Sequence, residues 1–214
     1  MASYYNCFDT ETGGLEVKYA LLTLYFAVFD MEFNFLEELD IATGPSRDVG
    51  DFKVTKKAME INKINLEEHV RRPDFLTYDE AAAKLRSWCQ DMKAKLKPGR
   101  SKLFLPLGQN LGFDLKFIHH YLVPIDEFEE YFHYNIRDTL SNAVFLGDAG
   151  IMPKGYRKLG DLVDYFGLKM EEAHVAKDDV RMTARVYRKQ LDLLKGVKNQ
   201  MSGIPADVLR IIEG

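Results

Sequence analysis

The sequence predicts an α/β fold in which a mixed β-sheet is covered by helices. Three consecutive strand-like segments come first, and they predict an antiparallel meander. Helical and strand-like segments then alternate along the chain, which is typical of a sheet with helices packed against it. The chain has 214 residues, of which 46% are hydrophobic, so it is long enough to bury a full core, and a single domain is expected.

The strand predictions rest on short apolar runs that lie between turn signals. The first three strands are predicted at Tyr4 to Phe8, Leu21 to Phe29 and Phe33 to Ile41. Asp30 and Met31 form the predicted turn between the second and the third. Two later runs predict a fourth and a fifth strand, at Leu103 to Leu107 and Tyr131 to Ile136.

Helices are predicted where apolar residues recur at helical spacing. The longest begins at Thr77, where Glu80 lies three residues on and completes a capping box, and Pro98 ends it. The others are predicted at Phe113 to Leu122, from about Thr139, at Leu159 to Phe166 and at Val180 to Leu194.

Composition and charge narrow the classes of function. A net charge of -4 argues against a tight, non-specific duplex binder, which would usually be basic, but not against a nucleic-acid enzyme with a metal-filled acidic site. Cys7 and Cys89, the two cysteines, suit a reducing compartment and suggest neither a disulfide framework nor a zinc site. Tyr19 to Phe29 is too short for a membrane helix and no signal peptide is visible, so a cytoplasmic protein without membrane contact is expected. The predicted domain covers 1–195, followed by a tail with a short helix at 196–214.

The stretch CFDTETGGL places two carboxylates where the first predicted strand ends. Because side chains alternate along a strand, Asp9 and Glu11 point the same way. Two unpaired carboxylates side by side repel each other, and burying either one is costly. A divalent cation removes both problems, since Mg²⁺ takes hard oxygen ligands. A lone motif of this kind is more commonly a solvated strand end, so other residues must decide.

Two further stretches carry acidic residues near predicted helix starts. Asp114 lies in GQNLGFDLKFIHHYL, shortly after the fourth predicted strand, where a carboxylate is often a cap or a partner of the helix dipole. In AHVAKDDVRMTARVY, Asp178 and Asp179 can be first-turn acids of the last helix. His174 lies five positions before Asp179, and a lone histidine there is most often a surface or hydrogen-bonded residue.

Taken together and in this order, the three stretches resemble the DEDD family of 3′-to-5′ exonucleases. This family includes polymerase proofreading domains, ribonuclease T and oligoribonuclease. FDTETGGL resembles its D-x-E motif followed by Gly-Leu, NLGFD its N-x-x-F-D motif, and HVAKDD its H-x-x-x-x-D motif. Val175 stands where the sister branch has tyrosine, so the chain resembles the histidine branch, DEDDh. The resemblance runs from Tyr4 to about Leu194.

The resemblance implies a ribonuclease H-like fold, a five-stranded mixed sheet flanked by helices on both faces. It implies a site for two Mg²⁺ ions, which Mn²⁺ can replace, held by Asp9, Glu11, Asp114 and Asp179. Two ions about 4 Å apart can serve both the attacking and the leaving oxygen. His174 is the implied general base, since a histidine with a pKa near ~6.5 can accept a proton from water at neutral pH. The implied substrate-binding residues are Thr12, Gly13, Leu15, Asn110 and Phe113.

Two positions depart from the family pattern without touching an implied metal ligand. Gly13 replaces the second threonine of a common Thr-Thr-Gly sequence, which is expected to loosen the backbone beside the terminal nucleotide. Gln109 stands where many relatives have histidine. Asp138, in IRDTL, could be a further metal ligand, but a helix cap before Thr139 is the preferred interpretation.

The expected function is that of an enzyme, a 3′-5′ exonuclease that degrades single-stranded DNA or RNA to nucleoside monophosphates. The alternative is a proofreading subunit that acts with a DNA polymerase, and a non-catalytic nucleic-acid-binding module is disfavoured because all five motif residues are present. The sequence does not distinguish DNA from RNA, and it leaves the oligomeric state open. The main basic cluster is short and is interpreted as a solvated helix end and turn: Lys93, Lys95, Lys97, Arg100 and Lys102.

Overall fold

The computed structural model describes residues 4–98, 102–169 and 176–201, and it confirms the predicted α/β class. Its strands are β1 (Tyr4–Thr12), β2 (Leu21–Phe29), β3 (Phe35–Gly44), β4 (Phe75–Thr77), β5 (Phe104–Gly108) and β6 (Arg137–Asp138). Its helices are α1 (Lys56–Asn62), α2 (Leu66–Arg71), α3 (Tyr78–Leu96), α4 (Gly112–Tyr121), α5 (Ile125–Phe128), α6 (Thr139–Asp148), α7 (Leu159–Tyr165) and α8 (Ala176–Met201).

The strands form one mixed sheet in the order β4-β3-β2-β1-β5-β6. The meander predicted from the sequence is present, because β1 is antiparallel to β2 and β2 is antiparallel to β3. The other neighbours pair in parallel: β5 with β1, β4 with β3 and β6 with β5. Parallel strands end at the same edge of a sheet, so the carboxyl ends of β1 and β5 point toward one side of the molecule.

The described sheet has six strands rather than the five predicted. β4 was missed because three residues are too few to show an alternating pattern. The fifth predicted strand is displaced, since the regular pairing lies at Arg137–Asp138 and only Phe132 forms a bridge, to Phe104. Within this run Phe132 is buried, with its ring against those of Phe104 and Phe128, whereas Tyr134 and Ile136 are exposed.

Helices cover both faces of the sheet, as the fold class predicts. On one face, α8 packs against β1, β2 and β5, and the shared cluster includes Tyr5, Cys7 and Val180. On the other face, residues of α3 and α4 pack with Phe8 and Phe26. Side-chain alternation along β1 therefore sends Tyr5 and Cys7 to the α8 side, and it assigns Asp9 and Glu11 to that same side.

Two predictions concern the ends of helices. The capping box at the start of α3 is present, because Glu80 Oε2 accepts hydrogen bonds from Thr77 N and Oγ1 at 2.8 and 2.9 Å. α8 continues through Gly196 to Met201, which is longer than the sequence pattern indicates.

The rest of the predicted tail, 202–214, lies outside the described residues, so the division into domain and tail stays a prediction. Among the described helices, none has the length and apolar character needed to cross a membrane.

Candidate active site

Four acidic side chains from three elements meet at the end of β1. Asp9 and Glu11 come from β1, Asp114 from the first turn of α4, and Asp179 from the first turn of α8. The other three carboxylates all lie close enough to Asp9 to raise its pKa by electrostatic repulsion. The structure therefore brings together the four residues that the motifs single out, and their role as metal ligands stays a prediction.

Burial and like charge make this cluster unfavourable in its ionised form. Burial is the main cause that raises the pKa of Asp9 well above its usual range. Burial also raises the pKa of Glu11 to about 7, with further contributions from Asp179 and Asp114. The pKa of Asp114 rises to about 7 through burial as well, although hydrogen bonds from Thr10 oppose the shift. Among the described ion pairs, none includes Asp9, Glu11 or Asp114.

Thr10 fixes the Asp114 carboxylate against β1. Its backbone N and its Oγ1 donate to Asp114 Oδ1 at 2.9 and 2.7 Å. These bonds join α4 to the strand that carries the other two carboxylates, so they set the position of Asp114 relative to Asp9 and Glu11. Sequence reasoning missed Thr10, because alternation along β1 places its side chain on the opposite face of the sheet from Asp9 and Glu11. The available signal was a hydroxyl residue at the middle position of the D-x-E motif.

A divalent metal fits this cluster by donor type and by charge. The donors are hard carboxylate oxygens, which Mg²⁺ prefers, and a cation would relieve the repulsion that raises their pKa values. Within 4–98, 102–169 and 176–201, however, no group of three such side chains is already arranged around a common ion position. His174 and Val175 lie outside the described residues, so the structure does not place the implied general base.

The start of α8 is anchored to the sheet beside Asp9. Lys177 Nζ lies 2.7 Å from Glu38 Oε1, and the Tyr25 hydroxyl donates to Glu38 Oε2. Tyr25 is the cross-strand partner of Asp9 in the sheet. Through Glu38, the turn that carries Asp179 is thus held against the strands that present Asp9. Sequence reasoning had no signal for this anchor, because Glu38 reads as an ordinary surface residue of a strand.

A pocket of about 580 Å³ adjoins the carboxylates, between the end of β1 and α1. Three of the five predicted substrate-binding residues line it, namely Thr12, Leu15 and Phe113, whereas Gly13 and Asn110 do not. Leu15 is 86% exposed and Ile61 is 47% exposed, so the pocket presents apolar surface that a ligand can reach. Sequence reasoning missed the α1 wall of the pocket: Lys57, Ala58, Ile61 and Asn62.

The expectation that Gly13 loosens the backbone is wrong. Its N donates to Ala20 O and its O accepts from Thr55 N, both at 2.7 Å. A β-carbon at this position would lie 2.7 Å from Lys53 O and from Val54 Cγ1. The segment that leads into α1 passes so close to Gly13 that a side chain would not fit there. The two hydrogen bonds hold the backbone of Gly13 from both sides, so glycine is required by close packing and not by a need for flexibility.

Asn110 and Asp138 have structural roles in the loop between β5 and α4. Asn110 adopts a left-handed backbone conformation, with φ of 58°, and its O accepts from Phe113 N at 2.8 Å. Asp138 Oδ1 accepts from Asn110 N at 3.0 Å and from Leu140 N at 2.9 Å. Asp138 is therefore the N-cap of α6, as preferred from the sequence. Gln109 Nε2 donates to Arg157 O at 2.7 Å, which ties this residue to the loop before α7.

The basic cluster at the end of α3 is largely engaged within the protein. Lys95 Nζ lies 2.7 Å from Glu37 Oε2, and Lys93 Nζ lies 5.5 Å from the centre of the Tyr131 ring. Lys102 Nζ donates to a backbone carbonyl, and Arg100 lies outside the described residues. These contacts support the interpretation of the cluster as a helix end and turn.

Fold and motifs agree on the class of the protein. The family model RNase_T, described as exonuclease, matches residues 7–187. The chain therefore belongs to this family of 3′-to-5′ exonucleases with a ribonuclease H-like fold, which confirms the resemblance drawn from the three motifs. Hydrolysis of nucleic acid is the chemistry of the class.

Solved exonuclease structures share the fold. Escherichia coli exonuclease I in complex with a dT13 oligonucleotide superposes with a TM-score of 0.64 at 20% identity, covering 88% of this chain and 40% of that chain. A 3′-exonuclease that recognises the 3′ end of the histone mRNA stem-loop superposes with a TM-score of 0.60 at 14% identity. The match covers 89% of this chain and 82% of that chain. Cell-death related nuclease 4 superposes with a TM-score of 0.59 at 13% identity. The match covers 89% of this chain and 64% of that chain. The chain thus spans about two fifths of exonuclease I. Comparison with curated protein sequences gave no significant match.

The raised carboxyl pKa values predict that the metal-free protein loses stability as the pH rises. In the folded state Asp114 titrates at about 7, whereas an unfolded aspartate titrates near ~4, so the folded protein holds more protons between these values. The free energy of unfolding should therefore fall between about pH 4 and pH 7, by up to about 4 kcal/mol for this group. Urea unfolding in EDTA at pH 5 and pH 8 measures the change.

Asp114→Asn removes the titrating group, so its stability should depend less on pH than that of the wild type. Asp91→Asn, at an exposed position of α3, is the matched control and should behave like the wild type. The same pH dependence in Asp114→Asn as in the wild type would contradict the assignment.

Proposed function

We propose that this protein hydrolyses phosphodiester bonds from the 3′ end of single-stranded nucleic acid and releases nucleoside monophosphates. The observation that carries the proposal is the position of the four-carboxylate cluster beside a pocket with an exposed apolar wall. The pocket volume of about 580 Å³ is ample for one terminal nucleotide. Family membership supports the reaction type, and the motif order supports the 3′-to-5′ direction.

Each group of residues has a separate task in this proposal. The ions would be held by Asp9, Glu11, Asp114 and Asp179, two Mg²⁺ per site, with Mn²⁺ as a substitute. When bound, such ions activate the attacking water and stabilise the leaving oxygen. Thr10 holds Asp114 in place through its two hydrogen bonds. His174, assigned from the motif, accepts the proton of the attacking water.

The pocket supports recognition of an unpaired terminal base. Leu15 and Ile61 are exposed to 86% and 47%, and both line the pocket together with Phe113. These side chains offer apolar contact to either face of a base, and the backbone around Thr12 would meet the 3′ hydroxyl. Taking a terminal base out of a duplex costs a few kcal/mol. Single-stranded or frayed 3′ ends should therefore be preferred over blunt duplex ends.

Leu15→Ala should lower kcat/KM by about tenfold, because the variant loses much of the ~1.5–3 kcal/mol that burial of a leucine side chain under a bound base would contribute. The loss should appear mainly in KM, since the variant leaves the carboxylates unchanged. Ile125→Ala removes another exposed apolar side chain, on α5, and should have no effect. Initial rates on a single-stranded oligonucleotide give both constants, and equal kcat/KM for the two variants would remove Leu15 from the substrate site.

The substrate class is tested by degradation of matched DNA and RNA oligonucleotides, each offered as a single strand, a blunt duplex and a duplex with a frayed 3′ end. We expect faster degradation of single strands and frayed ends, with mononucleotide products. Faster digestion of blunt duplex, or internal cuts, would overturn the proposal. Action alongside a DNA polymerase and a cytoplasmic location stay predictions from the sequence alone.

A further inference from the structure

Hydrogen bonds join both ends of α1 to the segment that follows Glu11 at the end of β1. At the start of the helix, Thr55 N donates to Gly13 O at 2.7 Å. At its end, Asn62 Nδ2 donates to Thr12 O at 3.2 Å. The two accepting carbonyls belong to consecutive residues directly after Glu11. The position of α1 beside the carboxylate cluster is therefore set in part by these two contacts, and Asn62 supplies one of them with its side chain.

The Asn62 side chain makes a hydrogen bond at each end of its amide group. The residue is only 7% exposed, so an unpaired amide would be costly at this position. While Nδ2 donates to Thr12 O, Oδ1 accepts from Ile64 N at 3.0 Å. The second bond supports the turn after α1, where Lys63 has a left-handed backbone, with φ of 58°, although it is not a glycine. Asn62 is thus a bridge between the turn that ends α1 and the end of β1.

The helix that Asn62 anchors forms one wall of the nucleotide pocket. Ile61, the preceding residue, lines the pocket together with Leu15 and Phe113, and 47% of it is exposed. Met59, two residues before Ile61, packs instead against a buried apolar cluster. The side of α1 that faces the pocket is therefore partly apolar. Any shift of this helix moves Ile61 relative to Leu15 and changes the shape of the space that a base would occupy.

A purely structural role is the rival interpretation of Asn62, because its two hydrogen bonds also stabilise the folded chain. The place of the bond favours a role in binding. It connects two residues that both line the pocket, Asn62 and Thr12, so it lies within the wall against which a terminal nucleotide is proposed to bind. A contact with a structural role alone would have no reason to affect the affinity for the substrate.

We propose that Asn62 is a positioning residue for the terminal nucleotide. By fixing the end of α1 to Thr12 O, it holds Ile61 where a bound base contacts it. The inference rests on the proposed function, because it assumes that the terminal nucleotide occupies this pocket. Asn62 acts through Ile61 and takes no part in the chemical step, so its loss should raise KM and leave kcat nearly unchanged.

Asn62→Ala should raise KM for a single-stranded oligonucleotide by about fivefold, a typical factor for the loss of one hydrogen bond, with kcat changed by less than about twofold. Asn65→Ala is the matched control. Asn65 is the exposed N-cap of α2 and accepts from Glu67 N at 3.0 Å, so this variant also loses a local hydrogen bond of an asparagine. It should keep both constants of the wild type. An unchanged KM in Asn62→Ala, or a loss in kcat alone, overturns the proposal.

A double-mutant cycle with Ile61→Ala tests whether Asn62 acts through its neighbour. If it does, Asn62→Ala should change KM by less than about twofold in the Ile61→Ala background, because the contact that it positions is already lost. The same fivefold effect in both backgrounds overturns the positioning role. If Asn62→Ala does not fold, Asn62→Asp replaces it, since aspartate keeps the acceptor for Ile64 N but has no donor for Thr12 O.

Binding without cleavage separates this proposal from the proposed function. Fluorescence anisotropy in EDTA measures the affinity of the full chain for a five-nucleotide single strand labelled at its 5′ end. Asn62→Ala should bind it about fivefold more weakly than the wild type, and Asn65→Ala should bind it equally well. If none of the proteins cleaves any strand while this loss persists, the proposed function fails and the positioning role stands. Equal affinities of the wild type and Asn62→Ala, whether strong or too weak to measure, overturn the proposal.

Discussion

Asp114→Asn should lower Mg²⁺-dependent cleavage by about 10³-fold or more while the protein stays folded. The bound ions stabilise transition-state charge by several kcal/mol, and each 1.36 kcal/mol is a factor of ten in rate. Asparagine keeps an oxygen that can accept from Thr10 N and Oγ1, so the link between α4 and β1 survives while the ligand charge is lost. Steady-state cleavage and circular dichroism of the variant measure the two effects.

The same reasoning predicts that cleavage by the wild type requires Mg²⁺ or Mn²⁺. In the described part of the chain, no basic side chain forms an ion pair with Asp9, Glu11 or Asp114, and we expect a divalent cation to supply the missing positive charge. Asp126→Asn, at an exposed position of α5, is the charge-matched control and should retain full activity. Full activity in excess EDTA, or in Asp114→Asn, would remove the metal assignment.

His174→Ala should lower kcat by about 10²- to 10⁴-fold, the usual contribution of a general acid or base. Metal affinity should be retained, because the histidine is assigned as a base and not as a ligand. The wild-type rate should rise with pH through a titration near ~6.5, and the variant should lack that rise. Rates measured across pH 5 to 9, with metal affinity from Mn²⁺ titration, separate these effects.

His120→Ala is the matched control, since His120 is an exposed histidine of α4 outside the motifs. It should keep both the rate and the pH profile of the wild type. An unchanged rate in His174→Ala, or loss of metal binding instead of loss of rate, would show that His174 is not the base.

The sequence predicted the parts of the fold and site that depend on local pattern. Alternation along β1 was enough to place Asp9 and Glu11 on one face, and an apolar run was enough to find β2. The acidic residues of α4 and α8 were found because their motifs have fixed spacing. Metal-ligand roles for these residues still await the experiments above.

What the sequence missed depends on contacts between distant segments. The hydrogen bond from Thr10 to Asp114 could be recognised only in the structure, where α4 packs against β1. The need for Gly13 comes from the close passage of the chain at Lys53, which no local pattern encodes.

Product analysis of one single strand, labelled in separate samples at its 3′ and its 5′ end, tests the central claim most directly. With Mg²⁺, the 3′ label should be released at once as a nucleoside monophosphate, and the 5′-labelled strand should shorten one nucleotide at a time. Neither change should occur in EDTA or with Asp114→Asn. Release of the 5′ label first, internal fragments, or cleavage without a divalent metal would contradict the assignment of a metal-dependent 3′-to-5′ exonuclease.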